Sequence, residues 1–117
     1  MHNEQWVIWH NPRCSKSRAA LELLRERGLD LHVVEYLKSP PSRAEIKSVL
    51  GKLAIPAEAL VRKGEDVYRD QFKDRTMTAD QWLDALAAHP VLIERPVIIR
   101  GGRAVLGRPP ENALELV

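Results

Sequence analysis

The residues with the most chemical potential stand together near the amino end, in the run His10-Asn11-Pro12-Arg13-Cys14-Ser15-Lys16-Ser17-Arg18. Cys14 is the only cysteine of the chain. It cannot form an internal disulfide, so its sulfur is either a nucleophile or an inert, small apolar group. The polar and cationic neighbours favour the nucleophile. A free thiol of pKa ~8.5 is only about 3% ionised at pH 7, and turning three quarters of it into thiolate takes ~2.7 kcal/mol. A helix amino terminus supplies ~0.3–1 kcal/mol of that, so nearby donors and cations must add the rest. His10, Arg13, Lys16, Ser17 and Arg18 are the local candidates. Ser17 lies one turn beyond Cys14 and can bring its hydroxyl near the sulfur. Arg13 and Lys16 read as solvated charge, while Arg18 divides evenly between a surface role and support of the loop. No His/Cys/Asp grouping has zinc-ligand spacing, and no metal is expected.

Such chemistry needs Cys14 at a strand-to-helix turn, and the flanking pattern provides one. Gln5 to Trp9 is apolar and β-favouring, which predicts a first strand. Asn11 and Pro12 break it. From Ser15 to Arg27 the period is helical, with Ala20, Leu21 and Leu24 on one face and Glu22, Arg25 and Glu26 on the other. Gly28 is placed to end that helix in the left-handed conformation. Leu31 to Tyr36 predicts a second strand, parallel to the first through the intervening helix.

Pro40-Pro41 ends that strand, and Ser42-Arg43-Ala44-Glu45 has capping-box spacing ahead of Ile46, Val49, Leu50 and Leu53, the buried stripe of a helix. Pro56 opens a short helix through Leu60. The segment from Lys63 to Arg75 carries both charge signs and reads as solvated helix and loop. Thr78 and Gln81 repeat the capping pattern before a helix bearing Trp82, Leu83 and Leu86, which stops at His89-Pro90. Val97–Arg100 and Arg103–Leu106 flank Gly101-Gly102, a two-residue hairpin loop. Pro109-Pro110 begins a short terminal helix. Trp6, Trp9 and Trp82 fall on predicted core faces. The order β-α-β, helices, β-β-α is that of an α/β, thioredoxin-like domain covering residues 1–117. It predicts a mixed four-stranded sheet with a helical segment inserted at about 42–89.

The composition fits this reading. The chain has 117 residues, of which 29% are charged and 44% belong to the AVILMFWYC group, an ordinary soluble mixture. Lys+Arg 18 against Asp+Glu 16 leaves a formal +2, too balanced to announce a nucleic-acid surface. The apolar runs are too short for a membrane span. Met1-His2-Asn3-Glu4 lacks the features of a secretory signal, and a lone cysteine would be an orphan in an exported protein. A reducing cytoplasm is expected.

The run from His10 to Arg18 resembles the signature His-Asn-Pro-x-Cys-x-x-Ser-Arg of the glutaredoxin-coupled, ArsC-like arsenate reductase family. The similarity continues in order through Tyr36-Leu37, Pro40-Pro41-Ser42-Arg43, Leu60-Val61-Arg62-Lys63, His89-Pro90-Val91-Leu92-Ile93, Arg95-Pro96-Val97 and Gly107-Arg108-Pro109. This resemblance implies that Cys14 attacks arsenate or a similar oxyanion. It implies that His10 and Ser17 assist the ionisation of the cysteine, and that Arg62, Arg95 and Arg108 surround the oxyanion and its adduct. The planar fork of a guanidinium suits tetrahedral oxyanions and stays charged at working pH. Pro96 matches the cis-proline that thioredoxin-like folds keep beside the active site. Electrons would come from glutathione and then a glutaredoxin, with no tightly bound cofactor.

Two other readings share the fold. One is a glutathione-dependent thiol reductase acting on a non-arsenic substrate through the same basic site. The other is an Spx-like regulator that binds RNA polymerase. Spx switching typically uses a Cys-x-x-Cys pair, whose second position is Ser17 here, so that disulfide cannot form. The well-known reductases of the family also carry a longer tail beyond the position of Pro109 than the stretch ending at Val117.

Overall fold

The computed structural model describes residues 5–117, which pack as two units, one of residues 5–39 with 95–117 and one of residues 40–94. The first unit contains β1 (Trp6–Trp9), α1 (Ser15–Glu26), β2 (Leu31–Val34), β3 (Val97–Arg100), β4 (Arg103–Leu106) and a terminal 3₁₀ segment, Pro110–Leu116. Its four strands form one sheet in the order β2-β1-β3-β4. β1 runs parallel to β2, with Trp6 opposite Leu31 and Trp9 opposite Val34. β1 is antiparallel to β3, and β3 to β4. The predicted mixed sheet is therefore present. Arg100 faces Arg103 across the Gly101-Gly102 turn, where Gly101 takes φ 58°.

The apolar stripe of α1 covers this sheet. Ala20, Leu21 and Leu24 meet Trp6, Ile8 and Ile98 from the strands, and Ala113 and Leu116 from the terminal segment. Gly28 closes the helix at φ 68°, with its amide bonded to the Arg25 carbonyl, as the sequence pattern required. Gly107 meets a different demand. A Cβ there would lie 2.7 Å from the Pro96 ring and 2.9 Å from the Ile98 side chain, and 3.4 Å from Ala20 on α1. The bare backbone lets the chain before Arg108 press against Pro96, and the Gly107 amide donates to the Pro96 carbonyl at 2.9 Å.

One expectation shifts at the end of an element. β2 stops at Val34 rather than Tyr36, because the Glu35 carbonyl accepts the amides of both Lys38 and Ser39 at 2.9 Å and turns the chain. Tyr36 is buried nevertheless, packed from a turn instead of a strand. The short helices expected after Pro56 and Pro109 are present in 3₁₀ form, as Ala57–Leu60 and Pro110–Leu116.

The second unit holds α2 (Arg43–Leu53), the Ala57–Leu60 turn, α3 (Asp66–Gln71), α4 (Ala79–Ala88) and a 3₁₀ turn, Pro90–Leu92. α2 and α4 both begin with complete capping boxes, Ser42 with Glu45 and Thr78 with Gln81. Arg43 joins the two helices through Asp84 at 2.7 Å and Asp80 at 3.0 Å. The segment read as solvated contains one core residue. Phe72 is buried, its ring 5.9 Å from Trp82 and 5.7 Å from His89. Trp6, Trp9 and Trp82 are each 4% exposed, in the core as predicted. Among the described residues no helix is long and apolar enough to cross a membrane.

Candidate active site

The loop between β1 and α1 is organised by its own backbone donors. His10 N–H extends the parallel pairing by donating to Val34 O at 2.8 Å. Asn11 then acts three times. Its amide donates to Ser17 Oγ at 3.0 Å, its side-chain oxygen accepts from Arg13 N–H at 3.0 Å, and its carbonyl accepts from Cys14 N–H at 3.0 Å. Pro12 has no N–H to place, and its carbonyl accepts from Arg18 Nη1 at 2.9 Å. Arg18 thus supports the loop. Arg13 and Lys16 are exposed, as their reading as solvated charge anticipated.

With these donors committed inside the loop, the open amides begin after it. Cys14 is the N-cap of α1 at φ −94°, ψ 122°, and makes no side-chain cap hydrogen bond. The first intrahelical bond runs from Arg18 N–H to Cys14 O. The amides of Ser15, Lys16 and Ser17 precede it and have no acceptor within the helix. No acidic residue occupies the first turn. Cys14 is nearly buried, at 9% exposure. Its sulfur stands at the positive end of a 12-residue helix.

Ser17 is one turn on, and fully buried. Its hydroxyl oxygen meets His10 Nδ1 at 2.7 Å while it accepts from Asn11 N–H. Burial holds the His10 imidazole below its ordinary value of 6.5; the charge of Glu35 opposes this, and Arg25 and Arg18 add to it. A neutral ring has one bare nitrogen and one N–H. If Nδ1 carries the hydrogen, Ser17 accepts twice and its own O–H is left to donate elsewhere. If Nδ1 is bare, Ser17 donates to it instead.

The predicted arginines fall into two groups. Arg108 Nη1 donates to Arg95 O at 3.3 Å, so these two segments of the first unit adjoin. Each arginine precedes a cis-proline, Pro96 or Pro109, and the Pro96 expectation is met. The neighbouring Gly107 lies against Pro96 and against Ala20 of α1, six residues and ~9 Å of helix beyond Cys14. Arg62 belongs to the second unit, where Glu65 and Glu94 flank it, the latter at 3.4 Å. Those acidic partners, like the three roles of Asn11, went unforeseen in the sequence. An asparagine three residues before a helix cap was the available sign for the latter. Among the described residues, no group of three or more His, Cys, Asp or Glu side chains could hold a metal ion.

Residues 9–116 match the ArsC family. An arsenate reductase of Neisseria meningitidis serogroup A is 47% identical over 107 residues, covering 90% of this chain and 92% of the relative. An uncharacterized Escherichia coli protein, YfgD, is 40% identical over 116 residues, 97% of this chain and 98% of its own length. Among solved structures, an arsenate reductase from Vibrio cholerae superposes with a TM-score of 0.93 at 39% identity, covering 99% of this chain and 100% of that one.

Proposed function

Because the chain belongs to the ArsC family, we propose that it reduces arsenate to arsenite, with Cys14 as the attacking nucleophile. The observation that carries this reading is the sulfur's position at an uncapped helix amino terminus, beside three amides with no acceptor in the helix. That arrangement suits an oxyanion being joined to sulfur. Arg95 and Arg108 bring guanidinium groups to the oxyanion oxygens. Arg62 enters the proposal on the family match alone.

The chemistry balances with two external thiols. The Cys14 thiolate attacks arsenic of dihydrogen arsenate; an S–As bond forms, an As–OH bond breaks, and the hydroxyl leaves as water with one proton taken up. With His10 protonated at Nδ1, Ser17 accepts from both Asn11 N–H and His10, which leaves its own O–H for the thiolate one helical turn back. Glutathione then displaces a second hydroxyl, which leaves as water with the thiol's proton. Arsenic is still at +5. A glutaredoxin thiol next bonds to the glutathionyl sulfur, and the pair of electrons of the broken S–As bond stays on arsenic, now +3. Water releases arsenite and returns the Cys14 thiol. In sum, arsenate and two thiols give arsenite, one disulfide and water.

The test is arsenate reduction with glutathione and a glutaredoxin, in wild type and in Cys14→Ser. The variant is expected to fall to the rate without protein; undiminished turnover in it would overturn the proposal.

A further inference from the structure

A chain with one thiol must admit a second from solution, and the structure contains a cleft suited to it. At the carboxyl ends of the parallel strands β1 and β2, a cavity of about 360 Å³ opens between loop residues His10–Arg13 and the turn bearing Glu35, Leu37 and Lys38. The volume lies in the range of ~300–1,000 Å³ typical of small-molecule sites. Its walls are fixed by backbone bonds, His10 N–H to Val34 O on one side and the two amides on Glu35 O on the other. Leu37 is 45% exposed here, one of few large apolar side chains so placed among the described residues.

The charges of the cleft make a pattern. Arg13 and Lys38 are exposed cations, and Glu35 is the one anion among the lining side chains. Glu35 and Lys38 approach to 3.5 Å with side chains 42% and 80% exposed, an ion pair worth ~0–1 kcal/mol and readily exchanged for ligand groups. Two cations and one anion complement a molecule with two carboxylates and one ammonium. Pro12 and Leu37 offer apolar contact to its methylene chain.

We propose that this cleft binds glutathione, with Arg13 and Lys38 taking its two carboxylates and Glu35 its ammonium, and presents its sulfur to arsenic on Cys14. This inference rests on the arsenate chemistry proposed above. Reach is adequate. A tripeptide spans ~10 Å when extended, and Arg13 directly precedes Cys14. The step served is the displacement already balanced, with the S–As bond formed, hydroxyl lost as water and no change in the oxidation state of arsenic.

S-methylglutathione, which cannot transfer its sulfur, tests binding without turnover. Titrated into the wild-type protein, it is expected to shift the amide resonances of His10, Leu37 and Lys38. Lys38→Glu is expected to weaken its Kd by about ten-fold, the scale of one lost and reversed charged contact, and Lys47→Glu on the exposed face of α2 to leave it unchanged. Absence of binding, or equal affinity in all three proteins, overturns the assignment. In turnover, Lys38→Glu is expected to raise the KM for glutathione by a similar factor and to leave the KM for uncharged 2-mercaptoethanol unaltered. Equal effects on both thiols would also overturn it. Should the wild-type protein bind S-methylglutathione in this pattern yet turn over no arsenate, the arsenate reading fails and the cleft stands.

Discussion

The amino ends of α1 and of the two capped helices of the second unit answer the same problem in opposite ways. α2 and α4 cap theirs with side chains: Ser42 and Thr78 accept the amides of Glu45 and Gln81, whose side chains accept the cap amides in return, and Glu45 and Asp80 place carboxylates in the first turn. α1 has a cysteine at the cap, no side-chain bond to its amides and no first-turn acid. A capping box satisfies two orphan donors reciprocally. Leaving the box out sacrifices stability and keeps donors for something that comes and goes. α3 also begins without a side-chain cap bond, but Asp66 puts a carboxylate in its first turn; α1 alone among the described α-helices has neither, and it is the one with a nucleophile at its cap.

The contrast breaks most completely at Cys14. Cys14→Ser is expected to abolish arsenate reduction while gaining roughly 0.5–1 kcal/mol of stability, because a serine cap accepts an amide of its own helix; coupled assay and urea midpoint report the two effects. Lys16→Glu gives α1 the first-turn acid of the other helices. If the proposed oxyanion uses those amides, the new carboxylate competes with it, and the KM for arsenate is expected to rise about ten-fold while the helix gains up to ~1 kcal/mol. Ser42→Ala makes the reverse change and opens α2. It is expected to cost about 1 kcal/mol in urea unfolding and to leave arsenate turnover at the wild-type rate.

The smallest expected effect concerns pH. Because the folded chain holds His10 below its ordinary value, the unfolded chain takes up a proton near pH 6.5 that the folded chain resists. His10 therefore subtracts nothing at pH 7.5 and lowers stability as pH falls below 6.5. Urea midpoints at pH 7.5 and 5.5 are expected to differ less in His10→Gln than in wild type. An equal difference would show that the ring titrates alike in both states.

Much of this contrast was legible beforehand, because caps are written locally. Ser-x-x-Glu and Thr-x-x-Gln announce closed helices, and Cys14 ahead of the Ala20-Leu21-Leu24 stripe announces an open one. The mixed four-stranded sheet followed from strand and helix periods and a Gly-Gly hairpin, all short-range signals, whereas its order β2-β1-β3-β4 is a matter of the folded structure. What stayed hidden depends on neighbours distant in sequence or on competition among them. The shared oxygen of Ser17 joins His10 and Asn11 only when the loop folds back on the helix. Phe72 sits in a charged stretch whose composition masks one buried ring. The pairing of Arg62 with Glu65 and Glu94 joins a turn to a residue some thirty positions on. β2 ends where a carbonyl draws two amides into a turn, a contest that strand propensity does not register.

Gly107 carries a constraint of a different order. No ligand needs to meet it, yet any side chain there must push aside the Pro96 ring and the Ile98 side chain, and overpacking of this kind displaces backbone as readily as it strains side chains. The segment displaced is the one that ends in Arg108. A population of randomised codons selected for growth on arsenate would accordingly converge on glycine at 107, and an observer scoring only contacts with substrate would miss the reason.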